Sequence, residues 1–138
     1  MYLVEVNARL IGAKIPRLLG LALGRSVYSD VVNLHLGILP ESKDTGLYAA
    51  SRWVVASEAG ILREIDLPEQ QDPAICAVEM LKKPGDWVRP PFDNTDRLGY
   101  VMAVAASIGE AERIAEEYSS RCRVLIDQQS SASLNPIA

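Results

Sequence analysis

Apolar and polar positions alternate at the start of the chain. Val4, Val6 and Ala8 fall on one side, and Glu5, Asn7 and Arg9 on the other. A period of two marks a strand with one apolar and one polar face, so residues 2–9 are expected to be extended. The period then changes. Ile15, Leu18, Leu19, Ala22 and Leu23 recur at the spacing of one helical face, with Pro16 in the first turn, where its missing N–H is no loss. Gly24 is placed to end this helix in a left-handed cap, and Ser26 to cap a second helix over 27–36, closed by Gly37. The polar stretch 40–46 reads as a linker.

Beyond it the texture is β. Residues 47–57 and 61–65, about the turn Glu58-Ala59-Gly60, predict a hairpin. Residues 74–81 fit a strand or a short helix. The continuous apolar run 98–106 is the mark of a strand covered on both faces. Ser107 and Glu110 form a capping-box pattern, and Ala111, Ile114, Ala115 and Tyr118 line one face of the helix that follows. Residues 122–126 close as a strand, so strand, helix and strand suggest a crossover that lays one helix on a sheet. The polar residues 128–138 read as a flexible tail.

Composition narrows the class. The 138 residues are 49% hydrophobic and 23% charged, as in ordinary globular domains. Lys plus Arg is 14 against 18 Asp plus Glu, a net charge of −4, which lacks the basic field of a nucleic-acid binder. No apolar run reaches the roughly 18 to 20 residues that span a bilayer. Residues 1–7 lack the pattern of a secretory leader, so no membrane partner and a cytoplasmic location are expected. Two cysteines and one histidine are too few for a four-ligand zinc site. Cys76 and Cys122 read as reduced, buried thiols, with a bridge between them left open because sequence sets no distance. His35 reads as a surface or capping residue.

Glu5-x-Asn7-x-Arg9 is the chemically suggestive spacing. On a strand, alternate side chains share a face, their bases roughly 6.6 Å apart. A carboxylate and an amide oxygen so placed can both reach one hard cation such as Mg²⁺, which takes its other ligands from water and phosphates. Arg9 adds a planar fork for a phosphate or carboxylate oxygen. The combination suits nucleotide phosphoryl transfer; a half-exposed sheet also presents a polar face without any function.

The run YLVEVNARLIGAKIPRLLGLALG, residues 2–24, resembles the last core strand and following helix of ATP-grasp enzymes, which carry Glu-x-Asn-x-Arg there. Gly12 fits the glycine that follows; the Gly-Gly often found in the family is Gly12-Ala13 here. The stretch PGDWVRPPFDNTDRLGYVMAVAASIGEAERIAEEY, residues 84–118, is similar to the carboxy-terminal domain of the L-amino acid ligase branch, related to biotin carboxylase and carbamoyl phosphate synthetase. The resemblance implies that Glu5 and Asn7 are magnesium ligands and that Arg9 contacts the transferred phosphate or the acyl phosphate. It implies ATP and Mg²⁺ as cofactors, small carboxylate and amine substrates, and two further lobes upstream as partners.

The resulting expectation is an α+β chain. Residues 1–39 form a strand and two helices from the C-terminal end of an ATP-grasp core, and 40–46 a linker. Residues 47–127 form a small, mainly antiparallel sheet with one packed helix, and 128–138 a tail. The isolated chain is expected to be inactive as a ligase and to form a homo-oligomer through the unpaired edge of 2–9. The alternative is a non-catalytic binding or oligomerisation module. Asp93, Asn94 and Asp96 cluster without the rest of a calcium loop and read as a solvated turn. Trp53 and Trp87 read as core or interface anchors, and Lys14, Arg17 and Arg25 as a basic helix side that faces solvent or a phosphate.

Overall fold

A computed structural model describes residues 2, 4–5, 9–12, 14–41, 43–69 and 72–128. Helix α1 runs Ile15–Leu23 and helix α2 Val27–His35. Strands follow at Tyr48–Val54 (β1), Gly60–Asp66 (β2), Ile75–Met80 (β3), Trp87–Val88 (β4) and Gly99–Ala105 (β5). Helix α3, Ile108–Arg121, then leads to β6, Arg123–Asp127.

The helix signals act as their chemistry dictates. Gly24 ends α1 with φ of 62°, a conformation that costs a residue with a Cβ, and the next N–H, of Arg25, reaches back to the Gly20 carbonyl at 3.1 Å. The Ser26 hydroxyl accepts the Ser29 N–H at 3.2 Å and starts α2. The segment before β1 is tied to α1: Thr45 donates its hydroxyl to the Ala22 carbonyl at 2.5 Å. Ser107 accepts the Glu110 N–H at 3.3 Å and starts α3.

The strands form two antiparallel three-stranded sheets, β1-β5-β3 and β4-β2-β6. β5 is central in the first, and Tyr100, Val101, Met102 and Ala103 are all at most 1% exposed. Its apolar run is continuous because both faces are covered. Val101 and Ala103 join Ile114, Ala115 and Tyr118 of α3 and Leu62 and Val88 of the second sheet in one core. Tyr100 lies opposite Trp53 on one side and Glu79 on the other, and this face receives α1.

Two topological expectations are corrected. β1 and β2 are not a hairpin: β1 pairs with β5 over seven residues, and β2 pairs with β4 and β6. The Glu58 turn carries the chain from one sheet to the other; the buried backbone of β5 needs a ladder partner on each edge, and β1 and β3, not β2, supply them. For the same reason β5, α3 and β6 do not cross over within one sheet; β6 joins the second. The expected strand over 2–9 is also corrected as far as it is described. Tyr2, Val4, Glu5 and Arg9 belong to neither sheet, and Tyr2 and Val4 are 96% and 94% exposed. An extended segment becomes a strand only with a neighbouring ladder, and these four residues have none in either sheet. Val6, Asn7, Ala8 and the tail from 129 onward lie outside the described residues.

Both cysteines are free thiols. Cys76 is exposed, against expectation, because it alternates with the buried Ile75 along β3. Cys122 is partly buried, and that burial pushes its thiol up. No helix among the described residues is long and apolar enough to cross a membrane.

Gly60 marks a close approach between strands. A Cβ there would lie 2.5 Å from the Asp127 carbonyl oxygen and 2.6 Å from Cγ2 of Ile126. Gly60→Ala is therefore expected to destabilise the fold by about 1–3 kcal/mol in urea unfolding, as overpacking does. An unchanged midpoint would show that β2 and β6 are not packed this tightly.

Candidate functional site

Glu5 and Arg9 both lie exposed ahead of α1, and the Arg9 guanidinium donates to the Leu10 carbonyl at 3.4 Å. Asn7, between them, lies outside the described residues. Among the described residues no group of three His, Cys, Asp or Glu side chains is placed to hold a metal. The donor set of Glu5 and Asn7, one carboxylate and one amide oxygen, fits part of a magnesium shell whose remainder comes from water and phosphate.

The best-defined polar cluster lies just beyond this segment, where α1 meets the first sheet. Lys14 Nζ is 3.2 Å from Glu79 Oε1, and Arg17 Nη1 is 3.3 Å from Glu79 Oε2. Arg17 also donates to the Tyr100 hydroxyl oxygen at 2.9 Å, and that hydroxyl donates to Glu79 Oε2. Lys14 stands 5.0 Å from the centroid of the Tyr100 ring. The Tyr100 hydrogen bond, helped by Lys14, holds the Glu79 carboxyl below its ordinary value of 4.5. The Glu79 contact holds the Lys14 ammonium above 10.5, and burial, with Glu79, pushes the Tyr100 phenol above 10.0.

Sequence reasoning placed Lys14 and Arg17 on a basic helix side but found neither partner. The available signal was a lone carboxylate, Glu79, inside the apolar run 74–81, and a single hydroxyl, Tyr100, inside 98–106. Pairing them requires the β3–β5 register, in which Glu79 stands opposite Tyr100.

A recess of about 250 Å³ adjoins the cluster, lined by Lys14, Ile15, Leu18, Ser51, Trp53, Asn94 and Arg97. Arg97 lays its guanidinium 3.8 Å from the Trp53 ring centroid. Trp53 in turn meets Tyr100 edge to face, at 5.9 Å and 71°. Asp93 and Asp96 hold the neighbouring turn together. Asp93 accepts the Thr95 N–H at 2.6 Å, and Asp96 accepts Arg89 Nε at 2.8 Å and the Phe92 N–H at 3.0 Å. The Arg89 bond is the main reason that the Asp96 carboxyl drops to about 2. Trp87 is 54% exposed and lies 5.9 Å from the Arg89 guanidinium, so it anchors no part of the core.

Two three-stranded antiparallel sheets share one core with α3, and α1 packs on the outer face of the first sheet. The chain belongs to the L-amino acid ligase C-terminal domain 2 family, whose model matches residues 52–127. The uncharacterised protein y4rH of Sinorhizobium fredii (strain NBRC 101917 / NGR234) is 32% identical over 116 residues, covering 82% of this chain and 24% of that one. The L-amino acid ligase of Bacillus licheniformis shares the fold with a TM-score of 0.73 at 18% identity, over 92% of this chain and 33% of that one. Phosphoribosylglycinamide synthetase from Anaerococcus prevotii does so at 0.70 and 14%, over 83% and 30%. The chain thus spans 24% to 33% of the length of these proteins.

The fastening predicts a pH profile. Glu79 has a depressed pKa, so its contribution to stability is present above 4.5 and is lost as pH falls through its folded value. Lys14 and Tyr100 have raised values, so theirs is present below about 10 and is lost as pH climbs through them. Carboxyl-carbon NMR should find Glu79 titrating below 4.5 and moving up toward it in Tyr100→Phe. A native Glu79 that already titrates at 4.5 or higher contradicts the arrangement.

Proposed function

We propose that this chain is the C-terminal portion of an ATP-dependent carboxylate–amine ligase, and that it is inactive alone. The observation that carries the reading is Glu5-x-Asn7-x-Arg9 leading directly into a helix fastened to a family-defined C-terminal body. Glu5 and Asn7 would each give one oxygen to a magnesium ion. Arg9 would direct its guanidinium fork at a phosphate oxygen. Magnesium-bound ATP would activate a carboxylate as an acyl phosphate, from which an amine displaces phosphate. Three side chains cannot by themselves align a triphosphate with its acceptor, so turnover needs groups from elsewhere. A cytoplasmic setting, where ATP and magnesium are abundant, fits this chemistry.

The partner in this reading is the pair of upstream ATP-grasp lobes. Supporting it, the helical pair carries apolar side chains that this chain leaves uncovered: Leu19 is 46% exposed, Tyr28 55%, Val32 59% and Leu36 69%. Tyr28 also lines an apolar groove of about 350 Å³ between α1 and α2. Uncovered apolar surface of this kind marks an interaction face. The same face supports a second reading, in which two copies of the chain pair there as a non-catalytic oligomerisation module.

Calorimetry separates the two. Magnesium-ATP should give no binding heat with the 138-residue chain alone. It should bind saturably, and release phosphate in the presence of a carboxylate and an amine, once ATP-grasp lobes are supplied as a separate chain. Glu5→Gln and Asn7→Ala should each reduce that turnover at least about tenfold. ATP turnover by the chain alone would overturn the inactivity; a stable homodimer indifferent to nucleotide and lobes would favour the second reading.

A further inference from the structure

We propose that the recess between α1, β1 and the 94–97 turn binds the oxyanion end of a small molecule, a carboxylate or a phosphate. The inference is independent of the ligase reading. Two cations, Lys14 and Arg97, line the recess, and no carboxylate is among its lining residues. The nearby acids are engaged: Glu79 with Tyr100, Lys14 and Arg17, and Asp93 and Asp96 within their own turn and on Arg89. Arg97 itself has no hydrogen bond or ion pair among the described residues, although it is partly buried. The guanidinium carbon lies 3.8 Å from the centroid of the Trp53 ring, and its planar fork of N–H groups is the geometry that takes an oxyanion in two parallel bonds.

The group is also held in place. Asp96, before Arg97, is fixed by Arg89 and two backbone N–H groups. Leu98, after it, is fully buried, and its N–H donates to the Val54 carbonyl at 2.9 Å. Trp53 is braced by Tyr100. An arginine anchored on both sides loses little freedom when it binds. Ser51 and Asn94 add neutral hydrogen-bonding groups, while Ile15, Leu18 and the Trp53 ring offer an apolar wall. The volume, about 250 Å³, is below the 300–1,000 Å³ typical of drug-sized ligands and suits a small acid or phosphate ester.

The test uses the full chain labelled with nitrogen-15, whose two tryptophans give two indole N–H signals, with Trp87 as internal control. Sodium hexanoate and inorganic phosphate are titrated separately at constant pH and ionic strength. The Trp53 signal should shift saturably with at least one of them while the Trp87 signal stays still. Saturation by hexanoate alone assigns a carboxylate; saturation by phosphate alone assigns a phosphate. Arg97→Gln should weaken the binding at least about tenfold, and Arg97→Lys, which keeps the charge and the fold but not the fork, by less. Linear shifts with both anions, equal movement of the two indoles, or full affinity in either Arg97 variant would overturn the site.

Discussion

A buried phenol, Tyr100, lies where α1 meets the first sheet. Tyr100 sits at the centre of the first sheet, fully buried, with its ring against Trp53 and its hydroxyl on Glu79. From α1, Lys14 and Arg17 close on the same carboxylate, and Arg17 on the same hydroxyl. An isolated surface ion pair contributes little, but here two cations, an anion and a neutral donor share one set of bonds at the edge of an apolar layer. The network sets the position of α1 against the sheet. The segment that carries Glu5 and Arg9 enters α1, so this contact also fixes where that segment starts from.

The sheet that supports Tyr100 depends on β5. Its two edges are taken by β1 and β3, its inner face by α3 and the second sheet, and its outer face by α1. That arrangement accounts for the crossing of the chain between sheets at Glu58 and again at α3. It also accounts for Arg52, on the inner face of β1, which reaches α3 through Glu116 at 2.6 Å. The outer layer is less complete. Apolar side chains of α1 and α2 remain in water, which is the physical reason for reading this body as part of a larger assembly.

What the sequence made legible was local. Helix ends announced themselves through Gly24, Ser26 and Ser107, because caps are chosen by neighbouring backbone groups. The apolar run 98–106 announced a strand covered on both faces for the same short-range reason. Strand pairing was not legible, because period-two patterning gives a strand its faces but not its neighbours. The hairpin reading failed on that point, and the described residues of the stretch 2–9, Tyr2, Val4, Glu5 and Arg9, join neither sheet. The Glu5–Asn7–Arg9 triplet came from spacing alone. The Lys14–Arg17–Glu79–Tyr100 cluster joins residues 65 and 83 positions apart and required the fold.

The ligase reading asks the C-terminal body to hold α1 steady, since a phosphate-contacting group displaced by an ångström loses most of its effect. Amide hydrogen exchange along α1 measures this directly. With the Tyr100–Glu79 network in place, amides in the second half of α1 should be protected nearly as strongly as those of β5 at neutral pH. In Glu79→Ala they should exchange far faster while β5 is largely unchanged. Equal, weak protection of α1 in both proteins would mean that the helix is not fastened to the sheet, and would contradict the account.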